Sequence, residues 1–450
     1  MAVEPGRTVM DARPFRFAAI ASLVVLLSGC ANWFGGKDKE ALPGERISVL
    51  ALQSVLEPDP KLTDLAVRLP RPFANANWPQ AGGMPDHAMH HLSASGPLQR
   101  IWSEDIGEGE GRNGQPIAPP VVADGRIYTV DVEASVQATD AATGRRLWRV
   151  ELAPEDDDEG LLGGGIAYAD GRLFITTGFA QVIALDAGNG AVLWRRKLSA
   201  PIRSSPTIFK GRLLATTITN ELTAIDVEDG SVLWTHTGIT EAAGLLGGAA
   251  AAAAGSLVVA AYSSGEVVAL RIENGRVVWS DSLTALRRSD PVSTLAHIRG
   301  RPVIDRGQVI VTANSGRTVS IDLRTGNRRW EQRFGSSQGP WVVGDFIYLL
   351  TNSNEIVCLS RQTGGIRWVT QLQRFEDEED KEDPVFWSGP VLAGDRLLVG
   401  GSHGEVWSIS PYTGGLLGRL DIDDPVYLGG VVANDTVYFL TNKAKLVALR

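Results

Sequence analysis

From about residue 118 onward, short apolar stretches of the chain alternate with polar turns. The unit 164–200, GGIAYADGRLFITTGFAQVIALDAGNGAVLWRRKLSA, contains four such stretches, and 204–240 repeats the arrangement. Apolar and polar residues alternate with a period of two within the stretches, and Asp-Gly or Lys-Gly pairs separate them, which predicts β-strands joined by tight hairpins. Each unit is therefore predicted to fold as a small four-stranded antiparallel sheet.

A nine-residue phrase closes most units. It is most complete at 140–148 (DAATGRRLW), 186–194 (DAGNGAVLW), 226–234 (DVEDGSVLW) and 322–330 (DLRTGNRRW), and looser copies stand at 271–279 and 360–368. The glycine suits a positive φ in the turn between the third and fourth strands, and the aspartate can accept backbone hydrogen bonds across that turn. The tryptophan begins the outer strand and is expected to pack against the neighbouring unit. We interpret the phrase as structural rather than catalytic.

The spacing of the tryptophans identifies the kind of repeat. Successive copies are separated by 38 residues (Trp330 to Trp368) up to 51 residues (Trp279 to Trp330), and Gly418 stands where the next tryptophan would fall. This period is that of a four-stranded propeller blade and is too long for a β-helix.

The number of units predicts how the ring closes. Seven units occupy about 118–424, residues 429–450 supply three more strands, and 97–107, which include Trp102, supply a fourth. The sequence therefore predicts an all-β, eight-bladed β-propeller of four-stranded antiparallel blades, closed by N- and C-terminal strands that share the last blade. Such closure removes the open edge that an incomplete last blade would otherwise present.

The amino terminus has the pattern of an export signal. Three arginines precede an apolar run that ends in Leu27-Ser28-Gly29-Cys30, and this run is too short to cross about 30 Å of hydrocarbon. The last four residues resemble the bacterial lipobox, which implies lipidation at Cys30; an ordinary secretory signal is the alternative. We predict a signal peptide at 1–29, a lipidated tether and extended segment at 30–97, and the propeller at 98–450. Met1 and Met10 both remain candidate start residues.

The composition argues against several classes of function. A formal net charge of −9 argues against nucleic acid as a partner. The chain has two cysteines, Cys30 and Cys358, so a disulfide framework and a multi-cysteine zinc site are excluded. Cys358 lies in an apolar strand and is expected to be a buried, inert thiol.

Two kinds of residue cluster are candidate metal sites. His87, His90 and His91 are close enough in sequence to meet one metal ion, although a solvated loop is the alternative. The acidic runs 155–159 and 375–383 lack the regular ligand spacing of a calcium loop and are interpreted as solvated loops between blades. No cofactor and no metal are expected.

The blade phrase resembles that of the pyrroloquinoline-quinone (PQQ)-dependent dehydrogenases. Those enzymes use adjacent paired cysteines near the cofactor, and many carry a haem-binding segment, neither of which this chain has. We therefore do not expect an enzyme; a periplasmic PQQ-dependent dehydrogenase or a ligand-binding propeller is the alternative function.

The lipobox, GERISVL, NWPQAGGMPDHAMHHL and the blades together resemble the BamB lipoprotein family of the outer-membrane β-barrel assembly complex. The resemblance implies a scaffold on the periplasmic face of the outer membrane, consistent with Ala31 after the lipobox cysteine. It also implies binding to the POTRA domains of BamA and to other components of the complex, and assistance to the folding and insertion of outer-membrane β-barrel proteins. Exposed strand edges would allow unfolded clients to bind by β-augmentation.

The resemblance also implies two partner-binding loops. The first, GITEAAGLLGGAA, carries Leu245 and Leu246, and the family has arginine at the position of Leu246. The second, LAHIRGRPV, carries His297 and Arg299 at positions where the family has acidic residues. Ordinary rim loops are the alternative for both.

Overall fold

A computed structural model describes residues 56–111, 114–154, 164–241, 244–284 and 296–450. The signal peptide, Cys30 and the acidic run 155–159 lie outside these residues. The described chain is almost entirely β-structure, with one short 3-10 helix at Pro60–Leu62. Its strands form eight four-stranded antiparallel sheets, which confirms the predicted eight-bladed propeller. No helix in the described ranges has the length and apolar character that a membrane span requires.

Each blade has its strands in sequence order from the axis outward. Blade 1 is β2 (Val121–Ala123), β3 (Arg126–Val130), β4 (Ser135–Asp140) and β5 (Arg146–Glu151). Blade 2 is β6 (Gly164–Ala169), β7 (Arg172–Thr177), β8 (Gln181–Asp186) and β9 (Val192–Lys197). Blade 3 is β10 (Thr207–Phe209), β11 (Arg212–Thr216), β12 (Glu221–Asp226) and β13 (Val232–Thr237). Blade 4 is β14 (Ala252–Ala254), β15 (Leu257–Ala261), β16 (Glu266–Arg271) and β17 (Val277–Ser282).

The remaining blades follow the same order, except that the last one borrows its outer strand. Blade 5 is β18 (Val303–Asp305), β19 (Gln308–Ala313), β20 (Arg317–Asp322) and β21 (Arg328–Gln332). Blade 6 is β22 (Trp341–Val343), β23 (Phe346–Leu350), β24 (Glu355–Ser360) and β25 (Ile366–Gln371). Blade 7 is β28 (Trp387–Ala393), β29 (Arg396–Gly401), β30 (Glu405–Ile409) and β31 (Leu416–Asp421). Blade 8 is β32 (Val431–Ala433), β33 (Thr436–Leu440), β34 (Lys445–Leu449) and β1 (Arg100–Asp105).

The acidic run 375–383 differs from the prediction of a loop. It forms an exposed hairpin between blades 6 and 7, made of β26 (Phe375–Asp377) and β27 (Glu382–Pro384). The local cause is that Asp377 accepts hydrogen bonds from the backbone N–H groups of Glu379 and Asp380, which stabilises the turn.

Tryptophan and glycine lock neighbouring blades together. The ring of Trp148 lies on Gly190 of the next blade, where φ is +78° and a Cβ atom would stand 2.9 Å from Trp148 Cε3. Trp148 Nε1 also donates a hydrogen bond of 3.2 Å to the Ala187 carbonyl of that turn. The same donation to the next blade is made by Trp194, Trp234, Trp279, Trp330 and Trp368.

The two ends of the repeat meet in blade 8, as predicted. Strand β1 pairs antiparallel with β34, with Trp102 opposite Ala448 and Asp105 opposite Lys445. Trp102 in turn packs on Gly144 of blade 1, so the borrowed strand carries the inter-blade contact at this junction.

The junction between blades 7 and 8 lacks the tryptophan contact. Gly418 occupies the tryptophan position in β31, and a Cβ atom built there would meet nothing within 4 Å. Here an ion pair of 2.8 Å between Arg100 Nη1 and Asp423 Oδ2 connects β1 to the segment after β31.

Residues 75–94, the plug segment, close one end of the channel along the propeller axis. This segment contacts the innermost strand or its flanking turn in all eight blades, beginning with blade 8 and ending with blade 7. The hydrogen bonds are Asn434 N to Asn75 O, Trp78 N to Val122 O, Tyr168 N to Pro79 O, Ile208 N to Gln80 Oε1, Ala253 N to Pro85 O, Ile304 N to Asp86 O, Trp341 Nε1 to His90 O and Gly394 N to Leu92 O. The plug segment therefore follows a circular path along the inner side of the eight blades.

Candidate functional site

The two loops that carry the predicted partner-binding residues lie on one face of the propeller. One connects β13 to β14 and the other connects β17 to β18, so both end where an innermost strand begins. We call this side the entry face; the plug segment contacts the opposite ends of the innermost strands. Residues 242–243 and 285–295 of these loops lie outside the described chain.

The structure brings Leu245, Leu246, His297 and Arg299 together. The backbone N–H of Leu245 donates to His297 Nδ1 at 2.7 Å. Arg299 Nε donates to the carbonyl oxygen of Leu246 at 2.9 Å. The two loops therefore form one surface, which we call the loop-pair site, although they belong to different blades.

His297 lies beneath this surface rather than on it. Only 5% of the residue is exposed. Burial, reinforced by the positive charge of Arg299, lowers the pKa of His297 to about 4. The imidazole is consequently neutral at pH 7, and Nδ1 acts as the acceptor for Leu245, so the ring proton is on Nε2. His297 thus positions the loop that carries Leu245.

Apolar side chains beside Leu245 extend the loop-pair site. A cavity of about 160 Å³ is lined by residues that include Ile218, Glu241, Leu245 and His297. Ile239 is 60% exposed and accepts a hydrogen bond at its carbonyl from Asn220 Nδ2, which holds it in place. Sequence reasoning did not single out Ile218 and Ile239; the available signal was an isolated aliphatic residue within an otherwise polar turn.

A second cavity lies on the axis behind the loop-pair site. Its volume is about 110 Å³, and Arg203, Arg299 and Arg301 are among its lining residues, as are Trp78 and His87 of the plug segment. Arg203 and Arg299 each stand three residues before a proline that precedes an innermost strand, Pro206 and Pro302. This repeated placement is a sequence signal that pairs Arg203 with Arg299, whereas Arg301, which directly precedes Pro302, has no such signal.

The three histidines of the plug segment contact three different partners. His87 Nδ1 lies 2.7 Å from the Pro302 carbonyl oxygen, and His91 Nδ1 lies 2.7 Å from that of Pro70. His90 Nε2 is 3.8 Å from Asp305 Oδ1. Among the residues that the structure covers, no three His, Cys, Asp or Glu side chains converge as a metal site would require. These histidines fix the plug segment to its surroundings.

Cys358 is the buried thiol that the sequence predicts. It lies in β24 opposite Tyr348, and none of its surface is exposed. Burial raises the pKa of this thiol, which keeps it protonated and unreactive.

Comparison with known proteins identifies the family. The sequence model described as outer membrane protein assembly factor BamB matches residues 132–370. The outer membrane protein assembly factor BamB of Shigella dysenteriae serotype 1 is 31% identical over 356 residues, 76% of this chain and 88% of that relative. The crystal structure of BamB from Moraxella catarrhalis aligns with a TM-score of 0.64 at 18% identity, covering 79% of this chain and 98% of that chain.

An enzyme shares the architecture. The quinohemoprotein alcohol dehydrogenase ADHIIG from Pseudomonas putida HK5 aligns with a TM-score of 0.64 at 14% identity, covering 84% of this chain and 80% of that chain. At this identity the likeness shows the fold alone. The family model and the 31% identical relative are instead named for assembly, not for catalysis. This chain belongs to the family of the outer membrane protein assembly factor BamB.

Proposed function

We propose that this protein is a non-enzymatic scaffold of the outer-membrane β-barrel assembly machinery, and that its loop-pair site binds the POTRA domains of BamA. In this proposal Cys30 carries the lipid anchor, and the propeller faces the periplasm. The observation that supports it best is the pair of hydrogen bonds that joins Leu245 to His297 and Leu246 to Arg299 across two blades. Family membership supports the assembly role, and other components of the complex and unfolded outer-membrane proteins remain further expected partners.

The loop-pair site has the properties of a protein-binding surface. Partly exposed Leu245 and Leu246 supply apolar side chains, while Glu241 and Arg299 supply charged groups beside them. Because the described residues of both loops are attached to packed blades and to each other, little of their conformational entropy is lost when a partner binds.

The charges of this site differ from those that the family resemblance implies. The resemblance places arginine at 246 and acidic residues at 297 and 299, whereas this chain has leucine, histidine and Arg299 there. The cation is thus contributed by the second loop. A complementary partner surface would present an apolar patch bordered by a carboxylate near Arg299.

The test is co-purification of BamA from detergent-solubilised membranes with the Leu245→Glu variant. Burying a carboxylate at the apolar centre should weaken binding about tenfold or more, because a charge would lose water there without a partner. Leu417→Glu is the matched control, since Leu417 is 59% exposed on the outer strand of blade 7, away from the loop-pair site. Equal recovery of BamA with both folded variants would contradict the proposed site.

A further inference from the structure

The axial cavity concentrates positive charge that the described chain does not neutralise. Arg203, Arg299 and Arg301 all line it, and none of the three forms an ion pair with a carboxylate in the described ranges. The one hydrogen bond from these guanidinium groups to described residues is that of Arg299 Nε to the Leu246 carbonyl. Arg203 Nε is buried without a hydrogen-bond partner in the same part of the chain. The chain as a whole carries a net charge of −9, so this cluster opposes the overall charge.

Burial and the clustered positive charges lower the pKa values of groups that line the cavity. Burial and the nearby charge of Arg299 lower the pKa of Arg301 to about 10. Burial and the charge of Arg301 lower the pKa of His87, which also lines the cavity, to about 3. Partly buried cations without a counter-charge lose part of their hydration, which is costly unless an anion compensates them.

The cavity is closed on one side and open on the other. The plug segment supplies Trp78, Ala81, Gly82 and His87 to its lining, while the segments that lead into the innermost strands line the entry-face side. The arginines are partly exposed, so solvent reaches them from that side. Its volume of about 110 Å³ leaves room for a small ion.

We propose that the axial cavity binds a small, multiply charged oxyanion such as phosphate, held by Arg203, Arg299 and Arg301. Guanidinium groups present planar, paired N–H donors that match the oxygens of such an anion. A dianion compensates three cations better than a single carboxylate does. This site is distinct from the loop-pair site in its ligand, and it shares Arg299 with that site.

The test uses the lipidated full chain in detergent, with inorganic phosphate at pH 7.5 and sodium chloride adjusted to constant ionic strength. Calorimetry should detect saturable binding, and phosphate should raise Tm by about 2 °C or more where chloride does not. Arg203→Gln and Arg301→Gln should each weaken phosphate binding about tenfold. Arg276→Gln, at an exposed turn of blade 4, should leave it unchanged.

The stability of the phosphate-free variants separates lost binding from lost folding. Removing a partly buried, uncompensated cation should leave the Tm of Arg301→Gln equal to or above that of the unchanged protein, even though its response to phosphate is lost. No binding of phosphate by the unchanged protein at about 10 mM would overturn the proposal, as would equal binding by Arg203→Gln and Arg276→Gln. Because BamA is absent from this experiment, either result leaves the proposed function untouched.

Discussion

The repeated phrase is explained at the level of single residues. The prediction that glycine provides a positive φ is confirmed at Gly144, Gly190 and Gly230, where φ is +76°, +78° and +71°. The predicted aspartate acceptor is also confirmed, since Asp140 Oδ1 accepts from the backbone N–H groups of Ala142 and Thr143. The bond from each tryptophan to a carbonyl of the next blade was not predictable in detail, because the donor and acceptor lie more than thirty residues apart.

Gly190→Ala should destabilise the protein by about 3 kcal/mol, because the new Cβ meets Trp148 in addition to the strain of a positive φ. Gly171→Ala is the matched control. Its φ is +76°, but a Cβ there meets nothing within 4 Å, so the loss should be about 1 kcal/mol. Urea unfolding measures both values, and equal losses would show that the tryptophan contact contributes nothing beyond backbone conformation.

At the scale of elements, buried histidines join segments that are distant in sequence. His87 joins the plug segment to the approach to β18, and His297 joins the two entry-face loops. For residues 45 to about 97 the sequence predicts extended chain on the propeller, and within this range the plug segment follows a circular path. The sequence did not predict the circular path, because hydrogen bonds distributed over eight separate blades leave no periodic pattern in the segment.

The lowered pKa values of His87 and His297 predict that the free energy of unfolding falls in mild acid. Both have folded-state pKa values, about 3 for His87 and about 4 for His297, below the ordinary value of 6.5. The unfolded chain therefore binds protons first, and the stabilising effect is complete above pH 6.5 and declines as the pH falls toward 4. At pH 5 each histidine should lower the free energy of unfolding by about 2 kcal/mol.

The measurement is urea unfolding at pH 7 and pH 5. His297→Gln should reduce the loss between these pH values by about 2 kcal/mol, since glutamine can accept the Leu245 hydrogen bond without titrating. Between pH 7 and pH 8.5 the variant and the unchanged protein should show the same slope. An unchanged loss in the variant at pH 5 would mean that His297 is protonated in the folded protein.

At the scale of the whole molecule, closure depends on two strands from opposite ends of the repeat. The number of units and the position of Trp102 were enough to predict this pairing, because a four-stranded period leaves one strand missing at one end and one in excess at the other. The loop-pair site was predicted from family resemblance, and its assembly from two blades became visible in the folded chain. The axial cavity could not be predicted from the sequence, because the residues that line it come from several blades.

Deleting residues 445–450 should prevent formation of a stable monomeric ring. Strand β34 contributes the pairing partner of both β1 and β33, so its loss exposes two sheet edges that favour aggregation. Size-exclusion chromatography should show aggregates or no soluble protein. The control deletion of 378–381, at the exposed tip of the β26–β27 hairpin, should yield a normal monomer. A monomeric ring without β34 would mean that β1 does not hold the last blade in place.

The same pairing imposes an order on biogenesis. Ribosomes make the polypeptide from its amino end, so β1 and the plug segment exist long before β34, the strand that β1 needs and that closes the circle. Strand β1 can therefore pair only after β34 has been made, and a product truncated before β34 lacks the strand that completes the last blade.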